Sequence, residues 1–204
     1  YLPEVIGGGV LGMHHYALQL IELGHECEVL ATRSRTMNFQ AVRVLRKLSG
    51  RRWIGLWNRR DRKNGYITNR ADYGVIPPLL GHHLNRYKPD VVITQGWAPE
   101  DIALRAVELG YPAIIRPVAA TCVEALAKTR DKRPDVATML QGPHVLIMSA
   151  SKFIAGRVRE RLDLESPAVY EAIKVSDPAP STQPSEFITL VNPCVGKGLN
   201  IVLE

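Results

Sequence analysis

The chain has 204 residues, of which 46% are hydrophobic and 23% are charged. These proportions are typical of a globular protein, and they exclude a disordered or fibrous chain. No run of about 18 consecutive apolar residues is present, so the sequence predicts no transmembrane helix. The three cysteines (Cys27, Cys122 and Cys194) are widely separated and include no C-x-x-C pair. This pattern excludes a disulfide framework and a zinc site built on cysteines, and it is typical of a protein from a reducing cytoplasm.

Positive charge is concentrated in one part of the chain. The 26 lysines and arginines exceed the 20 acidic residues, which gives a formal net charge of +6. Residues 43–63 alone contain nine basic side chains and a single acid, Asp61. A basic element of this kind favours anionic partners such as phosphates or lipid headgroups.

Apolar runs of strand length alternate with amphipathic stretches of helix length. The runs fall at residues 27–31, 90–94, 112–115 and 145–148, and the helical patterns fall at about residues 11–23, 78–87, 99–109 and 152–162. The last three runs are almost continuously apolar, which is typical of parallel strands covered on both faces. The sequence therefore predicts an α/β fold with a doubly wound, mostly parallel sheet and helices on both of its faces.

A change of composition near residue 176 marks a domain boundary. Residues 176–185 contain three prolines and three serines, which favours an extended linker between folding units. Residues 186–204 contain one strand pattern, a loop with two glycines and the start of a helix, which are too few elements for a domain. We therefore expect a domain at residues 1–175, a linker at 176–185 and the beginning of a truncated second domain at 186–204.

The N-terminal region contains a glycine motif with the G-x-G-x-x-G spacing, at Gly7, Gly9 and Gly12. Such a loop lets the backbone approach a phosphate, which then binds to the free N–H groups of the following helix. A dinucleotide fold is one interpretation, in which Arg33 would accept the 2′-phosphate of NADP, although Pro3 interrupts the strand that this fold requires before the first glycine. A second interpretation is a loop that approaches the phosphate or sugar of another ligand, and a third is a flexible connection that needs no ligand.

Several segments together resemble one known family. They are Gly7-Gly8 before the first helix, the sequence Leu-Gly-His-Glu-Cys-Glu-Val-Leu at residues 23–30, Lys-Pro-Asp-Val-Val at 88–92, Ile-Met-Ser-Ala-Ser-Lys-Phe at 147–153, and the strand at 187–193 with Lys-Gly-Leu at 197–199. In this order they resemble the family 4 glycosyltransferases of the GT-B fold along almost the whole chain. The chain departs from the family pattern at Arg116, which stands where the family commonly has a histidine.

The resemblance implies a Rossmann-like, N-terminal, acceptor-side domain that is followed by the start of the donor-binding domain. The whole protein would be a retaining glycosyltransferase that moves a sugar from a nucleotide-sugar donor to an acceptor of unknown identity, without a cofactor and without a metal ion. We expect the present chain to be inactive alone, because the acidic pair that holds the donor in this family lies far beyond residue 204.

Candidate site residues follow from the glycine motif, the resemblance and the predicted edge of the sheet. Those expected to bind the donor phosphates are Gly7, Gly8, Gly9 and Lys197, and those expected on the acceptor side are His14, His15, Gln95, Trp97 and Arg116. Gln95 and Trp97 follow one predicted strand and Arg116 follows the next, at the carboxyl edge where open parallel sheets bind ligands. Adjacent helical residues point about 100° apart, so at most one of the two histidines faces the glycine loop.

A basic and aromatic segment provides a further candidate surface. Residues 51–60 include Arg51, Arg52, Trp53, Trp57, Arg59 and Arg60, a composition that favours the headgroup layer of an anionic membrane. We therefore expect a cytoplasmic protein that binds peripherally to the inner face of a membrane, and an acceptor that is anionic or lipid-linked. The same composition is compatible with nucleic acid, but no recognisable binding motif accompanies it, and no nucleic-acid partner is expected. The alternative for the chain as a whole is a free-standing NADP- or nucleotide-binding module.

Overall fold

A computed structural model describes residues 8–32, 59–62, 64–71, 76–96 and 98–170. All of these residues belong to the first of the two units into which the chain divides, Tyr1–Ile173 and Lys174–Glu204. The predicted linker at residues 176–185 and the predicted second domain at 186–204 lie outside the described residues, so both assignments stay predictions.

The described residues form an α/β structure with six helices and six strands. In chain order these are α1 (Gly8–Glu22), β1 (Glu28–Thr32), β2 (Arg59–Asp61), β3 (Ile67–Ala71), α2 (Ile76–Tyr87), β4 (Val92–Thr94), α3 (Pro99–Glu108), β5 (Ala113–Ile115), α4 (Ala120–Lys132), α5 (Pro134–Gln141), β6 (Val145–Ile147) and α6 (Lys152–Leu162). The predicted α/β class is therefore confirmed. Each strand and helix predicted between residues 11 and 162 is present within a few residues of its expected bounds.

The described strands form two three-stranded sheets. Sheet A has the order β1-β3-β2, with β1 parallel to β3 and β2 antiparallel to β3. Sheet B has the order β4-β5-β6 and is parallel throughout. Its successive strands are connected through helices, because a parallel pair needs a long crossover connection. The sequence predicts one doubly wound sheet, whereas the described strands belong to two.

One face of sheet B packs against the main hydrophobic core. Ala113 and Ile115 of β5 and Ile147 of β6 are buried there together with apolar side chains of helices α2 to α6. Successive side chains of a strand point to opposite faces, so the residues between them face the other side. We call those residues the second-face row (Ile93, Ile114 and Leu146). They are aligned across the three strands and are incompletely buried, with Leu146 44% exposed.

Sheet A combines its backbone pairing with buried polar side chains. Thr68, Asn69 and Arg70 of β3 are each at most 6% exposed. Asn69 donates to the carboxylate of Glu28 on β1, and Nδ1 of His83 in α2 lies 3.6 Å from Oε1 of the same carboxylate. Buried polar groups need such partners to offset their loss of hydration. These contacts therefore fasten β1, β3 and α2 to one another.

Glycines end two of the helices, as the sequence predicts. Gly24 after α1 and Gly110 after α3 have φ angles of 90° and 86°, a left-handed conformation that glycine adopts without strain. The N–H group of His25 then donates back to the carbonyl of Leu20 at 2.9 Å, and Tyr111 makes the equivalent bond after α3. Both ends are Schellman motifs, which satisfy carbonyls of the last helical turn.

Helix α6 begins with a side-chain cap. Ser151 has an extended backbone, and its Oγ accepts a hydrogen bond from the N–H group of Ile154 at 3.3 Å. Ser149, the other serine at this point of the chain, has its Oγ 2.6 Å from the Oγ of Ser166 instead. Ser151 is therefore the capping residue.

We expect Ser151→Ala to lower the free energy of unfolding by about 1 kcal/mol, because one N–H group of the first turn loses its acceptor. Ser151→Asp should preserve the stability, since aspartate accepts the same bond and its charge interacts favourably with the helix dipole. Urea denaturation of both variants and the wild type measures the difference. Equal stability of Ser151→Ala and the wild type would show that the cap contributes nothing.

Candidate functional site

Helix α1 begins at Gly8 rather than at Leu11, so Gly8 and Gly9 lie in its first turn and not in a preceding loop. The first N–H groups of a helix have no acceptor within the helix, and they carry the positive end of its dipole. The first turn of α1, as described, contains no acidic side chain. Anion binding at this turn stays a prediction.

Two polar residues at the carboxyl ends of sheet B meet this helix terminus. Gln95 directly follows β4 and Arg116 directly follows β5, and the N–H group of Arg116 donates to the carbonyl of Thr94 at 2.9 Å. Arg116 Nη1 donates to Gln95 Oε1 and Gln95 Nε2 donates to the carbonyl of Gly9, each at 2.5 Å. The structure thus brings together three of the residues that the sequence assigns to the site.

The space beside Gly9 is filled by protein. A Cβ atom added at Gly9 would lie 2.9 Å from Nε2 of Gln95 and 3.3 Å from Cγ2 of Val118. A side chain at this position would displace the amide of Gln95 and press on Val118, whether or not a ligand binds. No sequence signal distinguishes Val118 from the other apolar residues of the chain.

Arg116 is enclosed by protein, with 1% of its surface exposed. Its guanidinium carbon lies 4.8 Å from the centroid of the Tyr16 ring, and a cation–π contact with a desolvated arginine contributes about 2 kcal/mol. The contacts of its guanidinium include those with Gln95 and Tyr16, and the predicted contact of Arg116 with an anionic acceptor stays a prediction. Tyr16 is a site residue that the sequence analysis does not single out. Its position two helical turns after Gly9, on the same face of α1, is the signal that would have indicated it.

The two histidines of α1 lie at its middle. Nδ1 of His14 lies 2.8 Å from the hydroxyl of Tyr66, the residue before β3, and the His14 and His15 rings are 5.6 Å apart. Burial, followed by the nearby His15, holds the pKa of His14 below its ordinary value. Burial also raises the pKa of Tyr66 to about 12, so its hydroxyl stays protonated. His14 therefore ties α1 to sheet A as a neutral side chain, and the role of either histidine at a phosphate stays a prediction.

Other predicted site residues lie outside the described residues. They are Gly7, Arg51, Arg52, Trp53, Trp57, Trp97 and Lys197. Arg59 and Arg60 belong to β2, where their backbones pair antiparallel with Arg70 and Asn69. Among the helices of the described residues, none combines the length and the apolar character needed to cross a bilayer. The association of residues 51–60 with a membrane surface stays a prediction.

Comparison of the chain with protein-family models, with curated proteins and with solved structures found no match in any of the three. The resemblance to family 4 glycosyltransferases therefore rests on the sequence motifs alone and stays a prediction.

We expect Gly9→Ala to lower the free energy of unfolding by about 1–3 kcal/mol, because the new Cβ displaces the Gln95 amide and leaves buried polar atoms without partners. Gly156→Ala in α6 is the matched control, since nothing lies within 4 Å of its Cβ position. Alanine in that helix interior should stabilise the chain by about 0.5–1 kcal/mol. Thermal denaturation compares the two variants. If Gly9→Ala melts as high as Gly156→Ala, the packing at Gly9 is not the constraint described above.

Protonation of His14 should destabilise the folded chain. The pKa of His14 in the folded state lies below its ordinary value of 6.5, so on acidification the unfolded chain takes up the proton first and the free energy of unfolding falls. We expect this fall to begin as the pH drops through about 6.5 and to be smaller in His14→Gln, which cannot titrate there. His144 is exposed and supplies the control variant His144→Gln. Urea denaturation across this pH range would contradict the expectation if both variants follow the wild-type slope.

Proposed function

We propose that this chain is the acceptor-side domain of a GT-B glycosyltransferase similar to family 4. The whole protein would transfer a sugar, with retention, from a nucleotide-sugar donor to an acceptor that is anionic or lipid-linked. The observation that supports this most is the hydrogen bond from Gln95 to the carbonyl of Gly9, which holds the first turn of α1 at the carboxyl edge of sheet B. In open parallel sheets, ligands bind at this edge.

A helix terminus in this position suits the chemistry of sugar transfer. When the sugar leaves, negative charge develops on the nucleoside diphosphate, and fixed N–H dipoles stabilise that charge without having to reorganise. The buried guanidinium of Arg116 adds a positive charge behind the helical turn, in a medium where charges interact more strongly than in water. Gly8 has no side chain that would block the approach of the phosphates, whereas the space beside Gly9 is occupied by Gln95 and Val118. The chain itself supplies the stabilisation in this proposal, which includes no cofactor and no metal ion.

The proposed fold is more specific than the α/β class: it is a doubly wound, Rossmann-like sheet with helices on both faces. Helix α1 contacts sheet B through Gly9, and it contacts the start of β3 in sheet A through His14 and Tyr66. Leu30 of β1 also packs against the hydrophobic core behind sheet B. The second-face row is the apolar surface that a helix on the other side of sheet B would cover. These contacts support an arrangement in which sheets A and B are two parts of one sheet.

Two parts of the proposal concern residues that lie wholly or mostly outside the described part of the chain. Lys197 would approach the donor phosphates from the second domain, and residues 51–60 would attach the protein to the anionic inner face of a membrane. The donor would then be held between two domains. For this reason the chain by itself should bind a nucleotide-sugar weakly and transfer no sugar.

Gln95→Glu tests the proposed phosphate site at a single atom. Glutamate still accepts a hydrogen bond from Arg116, so the fold should persist, but it has no N–H group for the carbonyl of Gly9 and it places a negative charge beside the first turn of α1. In NMR titrations, uridine diphosphate should shift the backbone amide signals of residues 8–10 in the wild type. We expect the variant to bind it at least about fivefold more weakly, a loss of about 1 kcal/mol.

Gln141→Glu is the matched control, because it adds the same charge to an exposed residue at the end of α5. If both variants bind uridine diphosphate equally weakly, net charge alone explains the effect. If the α1 amide signals of the wild type do not shift, the proposed site is contradicted. Titrations with guanosine diphosphate and NADP separate the alternatives. Much tighter binding of NADP than of either diphosphate would favour a dinucleotide-binding module. Submicromolar binding of a nucleotide-sugar would contradict a donor site that is shared between two domains.

A further inference from the structure

The two partners of Gln95 determine the orientation of its side-chain amide. A guanidinium has only N–H donors, and a backbone carbonyl is only an acceptor. Oε1 must therefore face Arg116 and Nε2 must face Gly9, and the structure has this arrangement with both contacts at 2.5 Å. Without Arg116, only the contact with the carbonyl of Gly9 would distinguish the two orientations of the amide.

Arg116 is in turn held by Tyr16. The guanidinium carbon lies 4.8 Å from the centroid of the Tyr16 ring. The hydroxyl of the same tyrosine donates to the chain that follows α6, with the carbonyl of Val169 at 3.1 Å and that of Tyr170 at 2.6 Å. The arginine therefore covers the face of the Tyr16 ring, and two backbone carbonyls hold its hydroxyl.

The post-α6 segment (residues 166–170) is itself fixed to the end of sheet B. The N–H group of Ser149 donates to the carbonyl of Pro167 at 2.9 Å, and the N–H group of Val169 donates to the carbonyl of Ser149 at 2.8 Å. Ser149 and Ala168 form a parallel bridge, so the segment continues the sheet beside the chain that leaves β6. Ser149 is fully buried, which protects these bonds from water.

From these contacts we propose that Arg116 is a positioning residue that connects the post-α6 segment to the peptide of Gly9. The segment fixes Tyr16, Tyr16 fixes the guanidinium of Arg116, and Arg116 orients the Gln95 amide that holds the carbonyl of Gly9. Coupling between separate parts of a protein is carried by packed and hydrogen-bonded neighbours of this kind. The inference rests on the proposed function only where it makes the first turn of α1 the phosphate site, since the contacts themselves need no ligand. A displacement of the segment would then alter the phosphate site.

The side-chain amide of Gln95 reports this connection directly. In NMR spectra of the ligand-free chain, its two protons should give separate signals and exchange slowly with water. We expect Arg116→Met to accelerate this exchange at least about tenfold, and Arg116→Lys to recover part of the protection, because lysine still donates to Oε1. Tyr16→Phe retains the ring beneath the guanidinium and removes only the hydroxyl. It should shift the Gln95 signals and accelerate their exchange by a smaller factor, about twofold or more.

Arg130→Met is the matched control, because Arg130 donates to the backbone carbonyl of Leu162 and not to Gln95. The Gln95 signals should therefore not change in this variant. The proposal is overturned if Arg116→Met folds and leaves the Gln95 exchange unchanged, if Tyr16→Phe leaves Gln95 unaffected, or if Arg130→Met has an effect of the same size. Should Arg116→Met fail to fold, the lysine and phenylalanine variants decide the result. If the variants change the Gln95 exchange as expected but the chain does not bind uridine diphosphate, the proposed phosphate site is overturned and this connection is left intact.

Discussion

The described site depends on one match of donor and acceptor at the side chain of Gln95. An amide has a donor on one side and an acceptor on the other, and here the acceptor faces the guanidinium of Arg116 while the donor faces the carbonyl of Gly9. The match sets a condition on each neighbour, because the first must be a donor and the second must be an acceptor. The condition is strictest at Arg116, which is 1% exposed, since a buried polar group that loses its partner is not compensated by water.

Sheet B and its helices are predictable from the sequence because their stability comes from apolar burial. Strands β4 to β6 are apolar runs with little interruption, and one face of each contributes to the hydrophobic core. Helix α6 matches its predicted bounds, since a capping serine precedes it and apolar residues recur at helical spacing along it. The positions of Gln95 and Arg116 at the edge of the sheet follow from strand direction alone. Their contact with each other also requires the correct order of the strands.

Sheet A and the start of α1 are less predictable, because polar contacts determine them. Strand β3 contains the polar residues Thr68, Asn69 and Arg70, for which the sequence predicts no strand, although the structure buries all three. Asn69 and its partner Glu28 are 41 positions apart in the chain, so no local sequence pattern predicts their contact. Glycine has a low intrinsic helix propensity, so Gly8 and Gly9 indicate a loop. The packing of Gln95 and Val118 against Gly9 shows why glycine is nevertheless used inside the helix.

The contacts around Gln95 also have a consequence for folding. The bond between Gln95 and Gly9 spans 86 positions of the chain, and the bond between Tyr16 and Tyr170 spans 154. Contacts between such distant positions form only after long loops have closed, which is slow compared with the local contacts of helices. Helices and sheet pairs can thus form during synthesis while the cluster is still incomplete. Only a chain that extends to Tyr170 can complete these contacts, so a partly synthesised protein would lack the bonds that fix the hydroxyl of Tyr16.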